Sequence, residues 1–353
     1  MKTLPLANVR QGSILACNVY SRGKTIYRKG YALLQKDLRY LKAAGVRTLL
    51  IADENDDEFI FTGTITEKTR NEAAKTVETV LQDYENLTPK KHEKIRNVAS
   101  KMVDEIIASK DLKIQTHDLR TYDDYTYRHS VNVTAIAIAI GRLMYFEKSD
   151  LRLLAEAGLV HDIGKMKIPN TILNKEGPLD GEERDVVQNH PTWGFNLLRE
   201  KTSTSPVIWG LARQHHETLD GKGYPDKRAG DDIHPWARIL AVADIWDALR
   251  SDRSYKKGWP ADKVLKLLNS EKFSHKLDRN IINIINDIAV HYPTGSTVRL
   301  SNGMIGIVVQ QNSEFSNSPV VKITIDDDGK KVDKEYLLDI SKVSFVEITE
   351  TIV

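Results

Sequence analysis

The chain has 353 residues, 41% of them hydrophobic, and carries 51 Lys and Arg against 49 Asp and Glu. That length predicts two or three domains with sizeable cores, and the near-neutral balance offers no extended field for a nucleic-acid polymer. The single cysteine, Cys17, excludes an internal disulfide and a thiolate metal cage and fits a reducing, cytoplasmic setting.

The N-terminus, MKTLPLANVRQG, lacks the apolar stretch of a signal peptide. Residues 1–62 alternate strand-like runs (SILACNVY, TIYRKGYALL) with turns at Gly23 and Gly30. A helix over Lys36 to Ala44, ended by Gly45 and followed by the run VRTLLI, makes this a small α/β module. The acidic tract DENDDE at 53–58 reads as a solvated loop. Residues 63–119 form a separate helical segment. Val77, Val80, Leu81 and Tyr84, then Ile95, Val98, Met102 and Ile106, recur at helical spacing on either side of Pro89. The pair of amphipathic helices is expected to pack on the next domain; a signalling or dimerisation role is the alternative.

Residues 120–292 are almost wholly helical. His129, Val133, Ile136 and Ile140 share one face of a helix over 125–145, and Ser149 reads as the N-cap of a second helix, DLRLLAEAGLVHDIGK. The best apolar run, Val131 to Phe146, is broken by Asn132, Gly141 and Arg142, so no membrane span is expected. No alternating strand interrupts Asp150 to Ala289, which argues for a helical bundle and against a Rossmann or barrel fold. After Pro293 the texture changes. STVRL, MIGIVVQ, PVVKITID, KEYLLDI and VSFVEIT read as strands, with turns at Asn302-Gly303 and Asp328-Gly329, so residues 293–353 form a small β-barrel-like or curled-sheet module. Asp326, Asp327 and Asp328 lack the ligand spacing of a calcium loop and read as a hairpin turn.

The chemistry lies in the bundle. His129, His161-Asp162, His190, His215-His216 and Asp244 supply five of the chain's ten histidines and two carboxylates in one predicted domain. Paired ligands suit a binuclear centre, with Asp162 as bridge because each carboxylate oxygen can face one ion. Imidazole and carboxylate without thiolate favour iron, manganese or zinc over copper. Asp244, inside ILAVADIWDAL, is a carboxylate on an apolar helix and needs a counter-charge there.

The motifs HDIGK, NHP, HHETLDGKGYP and ILAVADIWDALRSDRSYK resemble the HD-GYP domain, a bacterial branch of the HD metal-dependent phosphohydrolases, over roughly residues 120–290. The resemblance implies that His129, His161, Asp162 and Asp244 form the basic HD ligand set and that His190, His215 and His216 bring in a second metal. It implies that Lys165 contacts the scissile phosphate and that Arg253 and Lys256 contact the nucleotide. Relatives with a third metal carry Glu four residues before the first histidine; Tyr125 stands there, so two ions are expected, with Asp123, Asp124 and Asp247 the residues that complicate the count. Tyr224 of the GYP tripeptide either stacks on a base or packs its loop, and Gly221 and Gly223 let that loop approach a ligand closely.

The resulting expectation is a mainly α, HD-type bundle with an N-terminal adaptor or sensory module and a C-terminal β module. Its activity would be hydrolysis of cyclic di-GMP to pGpG, and onward to GMP, by a hydroxide shared between two metals. A nucleotide-binding interaction protein and a phosphohydrolase for another cyclic dinucleotide stay open. So do homodimerisation and protein partners held by the terminal modules.

Overall fold

The computed structural model describes residues 2–15, 19–21, 24–28, 30–44, 46, 48–51, 65–109, 112, 125–175, 177–251, 258–312 and 317–352. The tract at 53–58, Asp123, Asp124, Arg253 and Lys256 lie outside the described residues.

The N-terminal module has two antiparallel ribbons. Strand β1 (Lys2–Pro5) pairs with β4 (Thr48–Ile51), and β2 (Val19–Ser21) pairs with β3 (Lys24–Tyr27). Helix α1 (Gln35–Ala43) covers them, burying Leu41 against Leu15, Leu33 and Leu49.

The central bundle begins with α2 (Glu67–Gln82) and α3 (Pro89–Ala108). Thr66 caps α2, its hydroxyl accepting from Thr69 N–H, and Thr88 caps α3 with Pro89 in the first turn, where its missing N–H has no partner to lose. Their apolar stripes, including Val77, Val80, Leu81, Ile95, Val98, Met102 and Ile106, are buried in a core cluster shared with α4 (Tyr125–Leu143) and α5 (Lys148–Val160). The same cluster takes in α9 (Pro206–Gln214), α10 (Pro235–Arg250), α11 (Ala261–Leu268) and α13 (Arg279–Ile288). Three shorter helices, α6 (Asn170–Leu173), α7 (Gly181–Gln188) and α12 (Glu271–Ser274), and the longer α8 (His190–Lys201) complete the bundle.

Two helix limits differ from the sequence reading. Helix α5 starts at Lys148 with Glu147 as N-cap, because the Glu147 carbonyl already accepts the Asp150 and Leu151 N–H groups; Ser149 lies inside the first turn. It also stops at Val160, not Lys165, and the chain tightens into a 3-10 turn over Ile163–Lys167. The cause of the break is a close crossing. A Cβ on Gly164 would lie 1.9 Å from the His190 carbonyl oxygen, so the turn lies directly on the start of α8.

The C-terminal module is one antiparallel sheet in the order β8-β7-β6-β5-β9. Its strands are β5 (Thr297–Leu300), β6 (Ile305–Gln310), β7 (Val320–Ile325), β8 (Lys331–Asp339) and β9 (Ile348–Ile352). The last strand begins later than VSFVEIT suggested, because Asp339 caps a 3-10 turn over Ile340–Lys342 and the chain must then cross to pair with β5. Asp326 closes the 326–330 turn by accepting from Lys330 N–H at 2.7 Å. Sheet and bundle meet where Thr351 Oγ1 donates to Asp262 Oδ1 at 3.1 Å and Tyr292 OH donates to the Ile348 carbonyl at 3.3 Å.

Gly164→Ala is expected to destabilise the protein by about 1–3 kcal/mol, since neither backbone at the crossing can retreat without repacking. The effect would appear as a lower denaturant midpoint at an unchanged slope; an unshifted midpoint refutes the close crossing.

Candidate metal centre

Three of the histidines are fixed by one device. The last carbonyls of an α-helix have no N–H of their own helix to accept from. His161, one residue past α5, donates Nδ1–H to the Gly158 carbonyl at 2.7 Å. His215, one residue past α9, does the same to Ala212 at 2.8 Å, and His190, two residues past α7, to Val187 at 2.8 Å. A carbonyl only accepts, so each ring carries its proton on Nδ1 and aims an Nε2 lone pair inward. Both the His-Asp and the His-His pair therefore stand at helix exits, where the negative end of the helix dipole favours a cation, and not within helices as periodicity had placed the first.

The seven candidate ligands converge in two groups, one of Asp162, His190, His215 and His216, the other of His129, His161 and Asp244. Asp162 lies between them. Its Oδ1 is 3.3 Å from His190 Nε2 and 3.6 Å from His215 Nε2, while Oδ2 is 3.4 Å from His161 Nε2 and 3.8 Å from His129 Nε2. Asp244 spans the groups a second time, with Oδ1 3.0 Å from His129 Nε2 and Oδ2 3.7 Å from His216 Nδ1.

Protein groups alone leave this cluster unsatisfied. His190 Nε2 and His215 Nε2 lie 3.3 Å apart although both present lone pairs, and buried His161 Nε2 and Asp162 Oδ1 find no hydrogen-bond partner. Lone pairs converging without a proton between them are what divalent cations require. The protonation states agree. Burial pushes the His215 imidazole down to about 4 against the pull of Asp162, and burial together with His215 holds His216 well below its ordinary value, so both are neutral at pH 7. Burial works to raise Asp162 and Asp244, but His161 and Lys165 outweigh it at Asp162 and His129 at Asp244, so both carboxyls stay well below the usual range. Lys165 Nζ, a quarter exposed, donates to Asp162 Oδ2 at 2.5 Å.

The GYP loop supports the site by holding a ligand. Tyr224 stacks on His216, ring centroids 4.7 Å apart and planes at 27°, and its backbone N–H donates to the His216 carbonyl. Gly223 approaches protein backbone: a Cβ there would lie 2.5 Å from Glu217 Cα, His216 O and Thr218 N. The expected closeness to a ligand is thus closeness to the segment that carries His216. Glu217, 2% exposed and absent from the sequence-derived site, clamps the loop by accepting from the Asp226 and Arg228 N–H groups at 2.7 and 3.0 Å. Asp247 was counted as a complication for the metal number. Its Oδ2 accepts from His129 Nδ1–H at 2.7 Å and Ser251 Oγ at 3.2 Å, and its Oδ1 from Asn132 Nδ2 at 3.0 Å, which makes it a support for His129. The signal available in sequence was its spacing, one helical turn after Asp244.

Comparison with known proteins decides the family. The HD domain matches residues 77–281, more than half of the chain. The chain belongs to the HD domain family. A KOW domain associated with the HD domain matches residues 297–352, which are the C-terminal sheet. HD domains are metal-dependent, and the cluster has the groups that could hold metal ions. A cyclic di-GMP phosphodiesterase of Pseudomonas aeruginosa is 36% identical over 248 residues, 69% of this chain and 59% of that protein. A 3'3'-cGAMP-specific phosphodiesterase of Vibrio cholerae is 40% identical over 144 residues, 41% of this chain and 31% of that one. The chain spans less than two thirds of either relative. An HDG"Y"P protein from Bdellovibrio bacteriovorus shares the HD fold, with a TM-score of 0.52 at 20% identity over 81% of this chain and 98% of its own. Among the described residues no helix is long and apolar enough to cross a membrane.

His215 titrates near 6.5 unfolded and near 4 folded, so between these values the unfolded chain binds more protons. Stability present above about 6.5 is lost as pH falls toward 4. The melting temperature of metal-free protein is expected to drop across that window, and His215→Gln to flatten the drop; an unaltered slope in the variant contradicts the assignment.

Proposed function

We propose that the chain is a metal-dependent phosphodiesterase that opens cyclic di-GMP to pGpG, the HD-GYP activity, with GMP as the product of a further cut. The observation that carries this reading is the split of Asp162, whose two oxygens face two separate groups of imidazoles. Two divalent ions, iron or manganese with zinc as the third choice, would be held by His129, His161 and Asp244 on one side and His190, His215 and His216 on the other, with Asp162 shared. When bound, they supply Lewis acidity that lowers the pKa of water and offsets charge on the phosphodiester.

The chain's own groups do the rest. Neutral His215 and His216 are ready to ligate at pH 7 without losing a proton first. Lys165 holds a cation beside Asp162, the position from which it stabilises charge on an attacked phosphate. Tyr224 acts chiefly through His216, and its phenol stays protonated because burial and the nearby Asp244 and Asp162 raise it. Arg253 and Lys256 complete the anion site in this proposal, on the strength of the motif alone. Cytoplasmic action, an adaptor or sensory role for residues 1–62, homodimerisation and protein contacts through the two terminal modules belong to the same reading, while α2 and α3 of 63–119 share the core of the bundle they precede. The likeness to a 3'3'-cGAMP-specific enzyme favours a second reading in which the hybrid ring is the substrate.

Anaerobically purified protein reconstituted with Mn²⁺ or Fe²⁺ is expected to convert cyclic di-GMP to pGpG, with slower turnover of 3'3'-cGAMP; the reverse preference selects the second reading. His161→Ala and Asp162→Ala should each lower kcat/KM at least about 100-fold and reduce bound metal. Two bound ions with turnover of neither ring would favour a nucleotide-binding protein over an enzyme. Lys165→Met should lower kcat about 10- to 100-fold with metal content unchanged, because it removes a phosphate-facing charge and no ligand.

A further inference from the structure

Helix α2 begins upstream of the HD match at residue 77, yet it reaches the metal centre. Arg70, 9% exposed, donates Nη1–H to Asn132 Oδ1 at 2.6 Å. Asn132, 2% exposed, donates Nδ2–H to Asp247 Oδ1, and fully buried Asp247 accepts Nδ1–H of His129. Each link has a direction. Guanidinium is donor-only, so it obliges the Asn132 amide to turn its oxygen toward Arg70 and its NH₂ toward Asp247. Asp247 receives Asn132 Nδ2–H on Oδ1 and the Ser251 hydroxyl on Oδ2, and as an acceptor at 2.7 Å it takes the proton of His129 on Nδ1. Nε2 then faces Asp244 at 3.0 Å and Asp162 at 3.8 Å.

We propose that Arg70 is a positioning residue for the metal centre, setting the tautomer and aim of His129 through Asn132 and Asp247; this rests on the metal-dependent reading above. Replacing the donor-only group removes the contact that turns the Asn132 oxygen away from Asp247, and a reversed amide would set two acceptors against each other. Packing of α2 on α4 has a separate anchor next door, where Arg128 Nη2 donates to Asn71 Oδ1 at 2.9 Å. Asn71 is therefore the control for contact between the two helices without the relay.

The test is Mn²⁺ titration of metal-free full-length protein by calorimetry, with melting curves to verify folding. Wild type is expected to bind two ions, and Arg70→Met to weaken one of them ten-fold or more while leaving the other within two-fold. Arg70→Lys, also donor-only, should recover most of that loss. Asn71→Ala should leave both ions within two-fold. Should Arg70→Met fail to fold, Asn132→Asp is the alternative: it keeps Arg70 but replaces the donor facing Asp247 with an acceptor, and should weaken the same ion. In parallel, ¹⁵N shifts of the metal-free protein should show His129 protonated on Nδ1 in wild type and a mixture of tautomers in Arg70→Met. Two ions bound equally by wild type and Arg70→Met, or an equal loss in Asn71→Ala, overturns the relay and leaves the metal reading standing. A wild type that binds no Mn²⁺ removes the metal reading, and a wild-type His129 with no proton on Nδ1 removes the relay by itself.

Discussion

The hydrogen bond from an imidazole Nδ1–H to a last-turn helix carbonyl is the constraint on which the site depends. It solves two problems with one contact: a buried carbonyl at the end of a helix needs a donor, and a metal-binding histidine needs a fixed tautomer. His161, His190 and His215 repeat the arrangement at the ends of three helices, so helix ends supply three of the imidazoles of the candidate metal centre. Ending α5 at Val160 leaves the Gly158 acceptor open. Were the helix to run on, the Gly158 carbonyl would be taken by a backbone N–H and the His161 ring would lose its acceptor.

Burial of Asp162 and Asp244 is intelligible only on that footing. A carboxylate 1% exposed among apolar helices costs several kcal/mol without a counter-charge. Lys165 meets part of the demand from one side, and divalent ions between the two groups of ligands would meet the remainder. The GYP loop and α2 hold the same centre from outside. Tyr224 and Glu217 fix the segment bearing His216, while Asp247 and Asn132 fix His129. The C-terminal sheet touches the bundle at α11 and Tyr292.

Much of this was legible in the sequence because the chemistry concentrates in short words. HDIGK and HHETLDGKGYP name four ligands and their support loop, and the helical periodicity of 63–119 and the turn pairs after Pro293 mark α2, α3 and the sheet. What could not be read is of one physical kind, namely contacts between residues distant in the chain. Asn132 and Asp247 are 115 residues apart, and Arg70 and Asn132 are 62 apart. Glycine was visible at 164 and 223, but the backbone each one approaches was not.

The sequence by itself determined the helical class, the β texture of the C-terminal module and the set of imidazoles and carboxylates, because amphipathic period and residue type are local properties of a chain. Tertiary structure decided which oxygen of Asp162 faces which imidazoles, that Asp247 hydrogen-bonds His129, and that Tyr224 lies on His216. Those are matters of distance and direction between helix ends, and they are set only when the ends converge on one buried point.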